Sequence, residues 1–261
     1  MLDDPADLAD LRMARDLLEA PGLAARLSNL VGSPIEKGLA LLPDAWHETV
    51  NDVVRGAIEQ AMNTALRTLD ASDGARRTPA DWLHKIAVGA TGAAGGAFGL
   101  PALAIELPVS TTIMLRSIAD IARSEGERLD RPEARIECMR VLALGGRSTG
   151  DDAAETGYFA ARAALAKAVS EAAAHVASRG LSQQSAPALV RLVNQVAARF
   201  SIVVSEKAAA QSMPVLGAIG GALVNTLFMD HFQDMGRGHF IVRRLERTHG
   251  ADAVRDVYER L

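Results

Sequence analysis

Apolar residues recur along this chain with the 3.6-residue period of a helix. Nothing alternates convincingly with the period of two that a half-buried strand requires, and no Asn-Gly or Asp-Gly turn lies between strand-like runs. Trp46, Val50, Val53, Ala57, Ala61 and Leu69 fall near one stripe, and Tyr158, Leu165, Val169, Ala172 and Val176 near another. The clearest stripe is Leu189, Leu192, Val196, Phe200 and Val203. The period predicts long helices at roughly 44–70, 79–97, 109–125, 132–144, 152–179, 186–211 and 215–247, with shorter helices at the N-terminus and at the end of the chain.

Polar punctuation supports these segments. Asp4-Pro5-Ala6-Asp7, Ser33-Pro34-Ile35-Glu36 and Thr78-Pro79-Ala80-Asp81 each offer a capping oxygen, a proline with helix-ready φ and an acid for the first turn. Asp130, Pro132 and Glu133 repeat the device. Gly74, Gly145-Gly146 and Gly180 follow periodic segments, where a glycine in the left-handed conformation ends a helix. The expected fold class is all-α: a single-domain multi-helix bundle over residues 1–261, with its core at about 40–250.

Two long runs carry no charge, IAVGATGAAGGAFGLPALAI at 86–105 and AAAQSMPVLGAIGGALVNTLFM at 208–229. Each is long enough to cross a bilayer, and each has small residues at helical spacing, Gly92 with Gly96 and Gly217 with Gly221. Against a membrane span stand Pro101 and Pro214 and the scarcity of large apolar side chains. Glycine in a soluble helix costs about 1 kcal/mol relative to alanine, so its repeated use points to close approach of another helix. The expectation is therefore two buried, close-packed Gly/Ala-rich helices, running parallel so that the polar groups beyond each run meet. Membrane insertion is the alternative. Pairing the glycines aligns GAAGGAFGL with GAIGGALVN, which fits either a weak internal repeat or two independent solutions to one packing problem.

Composition narrows the functional classes. The net charge of −4 gives nucleic acid no basic face to bind. Aromatic residues are only 4%, which favours closely packed helices over a sheet rich in bulky side chains. A single cysteine, Cys138, excludes an intramolecular disulfide and a cysteine-based zinc cluster. The acidic segment MLDDPADLADLR does not resemble a targeting sequence, so a cytoplasmic location is expected.

The stretches GAAGGAFGLPALAIELPVSTTIMLRSIADIARSEGE, DDAAETGYFAARAAL and VLGAIGGALVNTLFMDHFQDMGRGHFIVRRLER resemble, in content and order, the core motifs of the EcsC family. That resemblance implies a bacterial accessory protein linked to a membrane, with a partner such as an ABC transporter, peripheral to the inner face of the cell membrane. It implies no reaction and carries over no catalytic set.

Familiar catalytic motifs are missing in a working context: there is no HExxH, no GxxxxGK[ST] and no GxGxxG opening a βαβ unit, and the GxSxG match at Gly146-Arg147-Ser148-Thr149-Gly150 follows an expected helix instead of the strand that a nucleophile elbow requires. Cys138 reads as a small core residue. The most distinctive polar group is Asp230, His231, Asp234 and His239, just beyond the second uncharged run. Spacings of three and four place Asp230, His231 and Asp234 within reach of one another on a helix, and such a set can bind zinc, manganese or iron if further ligands arrive. It can equally be a polar helix exit. Glu106 interrupts apolar sequence on both sides. It has three readings: a cap for a helix starting near Pro108, an ion pair with Arg116 or a base across the bundle, or a catalytic or ligand-binding group. Arg116, Asp120 and Arg123 form an exposed stripe opposite Met114, Ile118 and Ile121. Asp151, Asp152 and Glu155 after Gly150 fit helix capping.

Three functions compete. The first is a non-enzymatic accessory protein at a membrane surface or on a membrane protein. The second is a metal-dependent hydrolase, conceivably a peptidase, using Glu106, Asp230, His231 and Asp234 with a divalent metal; no cofactor is otherwise assigned. The third is a helical binding module holding a small apolar ligand between helices.

Overall fold

The computed structural model describes residues 4–40, 42, 46–68, 100–146, 157–179, 186–212 and 217–261. These residues form ten packed helices and no strand: α1 (Pro5–Leu18), α2 (Leu23–Val31), α3 (Ile35–Leu39), α4 (Trp46–Thr68), α5 (Leu100–Ser124), α6 (Pro132–Leu144), α7 (Gly157–Arg179), α8 (Pro187–Ser212), α9 (Gly217–His249) and α10 (Ala251–Arg260). The all-α bundle expected from the period is the fold observed. The helix expected at 79–97 lies outside the described residues, as do Gly92, Gly96, Asp151, Asp152 and Glu155.

Helix α8 runs through the centre and packs against α2, α3, α4, α6, α7 and α9. Its stripe of Leu189, Leu192, Val196, Phe200 and Val203 is buried throughout. Helix α9 is the second axis and packs against α1, α2, α5, α6, α8 and α10. The stripe read on α4 holds at Trp46, Val50, Ala57 and Ala61, with Val54 rather than Val53 fully buried. Helices α5 and α9 run parallel: Glu106 meets Asn225, Ser117 meets Gln233 and Glu125 meets Arg244. At the C-terminal end of this pair Arg244 also holds Asp10 of α1 at 2.5 Å, and His249 lies 2.7 Å from Asp7.

Several terminal devices differ from expectation. Asp4 caps α1 by accepting the N–H of Ala6 at 2.9 Å, as its position suggests. The N–H of Ile35, however, is held by Ser28 Oγ at 3.0 Å from the preceding helix rather than by Ser33. Asp130 pairs with Arg128 and leaves α6 without a side-chain cap. No helix starts at Pro108, because α5 begins by Leu100 and passes through it. The lost backbone bond is a local cost, and burial of Leu107, Met114, Leu115 and Ile118 along the same helix outweighs it.

Glycine serves two purposes. Gly32, Gly126 and Gly250 follow α2, α5 and α9 with positive φ. Gly145 does not, at φ −70. A methyl group there would come within 2.7 Å of His231 Nε2 and of the Phe232 ring, so this glycine is required for close approach.

Candidate functional site

Lys207 falls four residues after Val203 on the apolar stripe of α8, and the helix carries its ammonium into the core with no exposure. An unpaired charge cannot stay there. Helix α5 supplies Glu106, whose Oε1 accepts from Lys207 Nζ at 2.7 Å, and α9 supplies Asn225, whose Nδ2 donates to the same oxygen at 3.1 Å. The ammonium also lies 4.8 Å from the centre of the Phe228 ring. Burial pulls Lys207 below the usual lysine range, and Glu106 opposes that shift. Of the three readings of Glu106, the geometry selects the ion pair across the bundle, with Lys207 as partner. Arg116 lies exposed on its stripe beside the Asp120–Arg123 pair.

The other candidates disperse along α9. Asp234 pairs with Arg26 of α2 at 2.9 Å, and His231 Nε2 meets the carbonyl of Gly145 at 3.0 Å. Asp230 is half-buried, Gly217 opens α9 and Gly221 is buried on it. Parallel packing does bring Glu106 to α9, but in register with Asn225. Between positions 225 and 234 the helix rises about 13.5 Å and turns about half a circle, so Glu106 and Asp234 occupy different faces and levels. They do not form one direct site. Among the described residues no group of three or more His, Cys, Asp or Glu can hold a metal ion.

His239 belongs to a second buried network. Its Nδ1 lies 2.9 Å from the Tyr158 hydroxyl and its Nε2 3.1 Å from Glu137 Oε2. Arg140 and Arg243 also hold Glu137, at 3.1 and 3.3 Å. Arg162 clasps Glu246 through both nitrogens, at 2.7 and 2.9 Å, and donates to the Tyr158 hydroxyl at 3.3 Å. Burial raises the Glu137 carboxyl, but the His239 hydrogen bond and the neighbouring positive charges overcome this and hold it at about 2. Burial pushes His239 down to about 3 against the pull of Glu137, with Arg162 and Arg243 lowering it further. A neutral imidazole satisfies the geometry: Tyr158 donates to Nδ1, and Nε2–H donates to the Glu137 carboxylate. The Cys138 thiol alongside is buried, and burial raises its pKa.

Sequence reasoning missed Lys207, Asn225, Glu137 and Tyr158 as members of these clusters. For Lys207 a signal existed, since a lysine continuing the clearest apolar stripe must find a buried partner. Asn225 is one neutral residue in an uncharged run, and nothing in the spacing distinguishes it.

The fold and these clusters define an all-α bundle with two internal polar groups along α9. The chain belongs to the EcsC protein family, which it matches over residues 8–245. That span takes in most of α1 and all of α2 and α3. No curated protein and no solved structure matches the chain.

Proposed function

We propose that the protein is a non-enzymatic accessory protein that associates peripherally with a membrane surface. One observation carries this reading. Ile105, Val109 and Leu223 are exposed, Ile105 by 76%. Ile105 and Val109 are one helical turn apart on α5, and Leu223 lies two positions before the Asn225 that touches Glu106. All three lie toward the N-terminal ends of the parallel helices α5 and α9. Exposed apolar side chains without intervening charge suit contact with the apolar edge of a lipid headgroup layer.

The ion pair supports the same reading, because Lys207 and Glu106 neutralise each other inside the bundle. Helix α8 is the one described helix long and apolar enough to cross a membrane, but it lies at the centre of the bundle and carries Lys207 inward. The association is accordingly peripheral.

Cell fractionation tests the proposal. A share of the native protein is expected in the membrane pellet, and a high-salt wash is expected to leave part of it there, since apolar contact adds to charge. Recovery of all the protein in the soluble fraction, together with no binding to lipid vesicles, would contradict direct lipid association and turn the search to a membrane-protein partner.

A further inference from the structure

Helix α8 presents a second stripe to α3 and α4, made of Ala198, Ser201, Ile202, Ser205 and Glu206. These positions share one face at helical spacing. Three of them are small, and the facing Leu39 and Val50 do not close the gap, which leaves a cavity of about 280 Å³. Val50, Ser201 and Ser205 are buried and form its floor, while Asn51, Ala198 and Ile202 are exposed and form its mouth.

The hydrogen-bonding capacity of the lining is partly unused. Ser205 Oγ accepts from Trp46 Nε1 at 3.1 Å, so its own hydrogen is available to the cavity. Ser201 donates to the carbonyl of Ala197 at 2.7 Å and keeps its lone pairs. The backbone N–H of Ala24 in the first turn of α2 favours the Glu206 carboxylate, and the charge that acts on it is another carboxylate, Glu36 of α3. Among the described residues no lysine or arginine forms an ion pair with it. Burial pushes the Glu206 carboxyl up to about 7, with Ala24 opposing and Glu36 adding to the rise. This is an acid lacking its counter-ion.

We propose that this cavity binds a small organic ammonium ion, its charged head on Glu206 and its short hydrocarbon body along Leu39, Val50 and Ile202. An anion is repelled by Glu206 and Glu36, and a neutral alkyl group leaves the carboxylate unpaired. Calcium needs six to eight oxygen ligands and magnesium a near-octahedral set, beyond one carboxylate, two hydroxyls and the Asn51 amide oxygen. The volume lies just below the roughly 300–1,000 Å³ of sites for drug-sized ligands, so it suits a head group and a few carbons rather than a lipid chain.

Trp46 reports on the site because its indole is bonded to Ser205 at the cavity floor. The test is a fluorescence titration at pH 8 of the full chain carrying Trp82→Phe, which leaves Trp46 as its only tryptophan. The probe is n-butylammonium chloride, compared with n-butanol and sodium butyrate at matched ionic strength. A saturable response to the ammonium alone is expected. Glu206→Gln keeps the size and shape of the side chain while removing its charge and is expected to weaken binding at least tenfold. Ala198→Leu, at the exposed mouth, is expected to block it. A linear, unsaturated response to butylammonium overturns the proposal, as does equal binding by the Glu206→Gln variant or a stronger response to butyrate. Should Glu206→Gln fail to fold, unchanged binding by Ala198→Leu overturns it.

Discussion

Replacing Lys207 with methionine removes a buried charge while keeping most of the side chain's volume, so its effect isolates the ion pair at the centre of the bundle. The variant loses a 2.7 Å hydrogen bond to a carboxylate, worth about 1.5–3 kcal/mol. It also loses the placement of an ammonium 4.8 Å from the Phe228 ring, worth about 0.5–2 kcal/mol. Glu106 is left 7% exposed, with Asn225 as its remaining partner in this cluster. Removing one member of a buried pair costs about 3–5 kcal/mol, and the two terms above, which sum to about 2–5 kcal/mol, overlap that range. In urea unfolding followed by far-ultraviolet circular dichroism, a slope of about 3 kcal/mol per molar places the midpoint about 1–1.7 M lower. Glu106→Gln alone strands the ammonium and is expected to cost a similar amount. The double variant carries no charge at this site, and its loss should fall short of the sum of the single losses by at least about 2 kcal/mol. Additive losses, or a Lys207→Met midpoint within error of wild type, would show that the pair does not organise the core.

Close helix approach and the buried imidazole give two more tests. A methyl group on Gly38 would meet the Ala209 carbonyl oxygen at 2.6 Å, so Gly38→Ala should destabilise by about 1–3 kcal/mol. Gly56 has open space in α4, and Gly56→Ala should stabilise by up to about 1 kcal/mol; a thermal melt giving both changes the same sign would refute the packing argument. His239 drops from its ordinary 6.5 to about 3 in the folded protein, so below pH 6.5 the unfolded chain binds a proton that the folded chain does not. His239 should remove up to about 1.4 kcal/mol of stability per pH unit as pH drops from 6.5 toward 3, while Glu206, raised to about 7, takes up its proton first in the folded chain and offsets that loss between about 7 and 4.5. Glu137, held at about 2, adds to the loss below its ordinary 4.5. His239→Gln should gain stability relative to wild type as pH falls from 6.5 to 4.5, and a difference that does not change with pH would mean that the imidazole titrates normally.

Much of the fold was legible because burial in a bundle imposes its period on the sequence. Pro132–Leu144 and Pro187–Ser212 lie within a residue of their expected bounds for that reason. Pro108 misled because a proline usually marks a helix start, whereas here the apolar residues around it bind both halves of α5 to the bundle. The candidate site was legible only in part. Periodicity shows which face of a helix is buried, and it carries no register between helices. Glu106 was therefore identifiable as anomalous while its partners were not. Asp230, His231 and Asp234 looked like one group because they are close in sequence, but the packing of α9 directs His231 to Gly145 and Asp234 to Arg26 on α2.

Vesicle flotation tests membrane association most directly, with purified full-length protein on liposomes carrying anionic lipid. The measurement compares wild type with the double variant Ile105→Glu/Val109→Glu, whose changes lie on an exposed face and should leave the unfolding midpoint unchanged. Wild type is expected to float with the vesicles at both low and high salt, and the double variant to remain at the bottom of the gradient. Equal flotation of the two proteins, or none by wild type, would contradict the account.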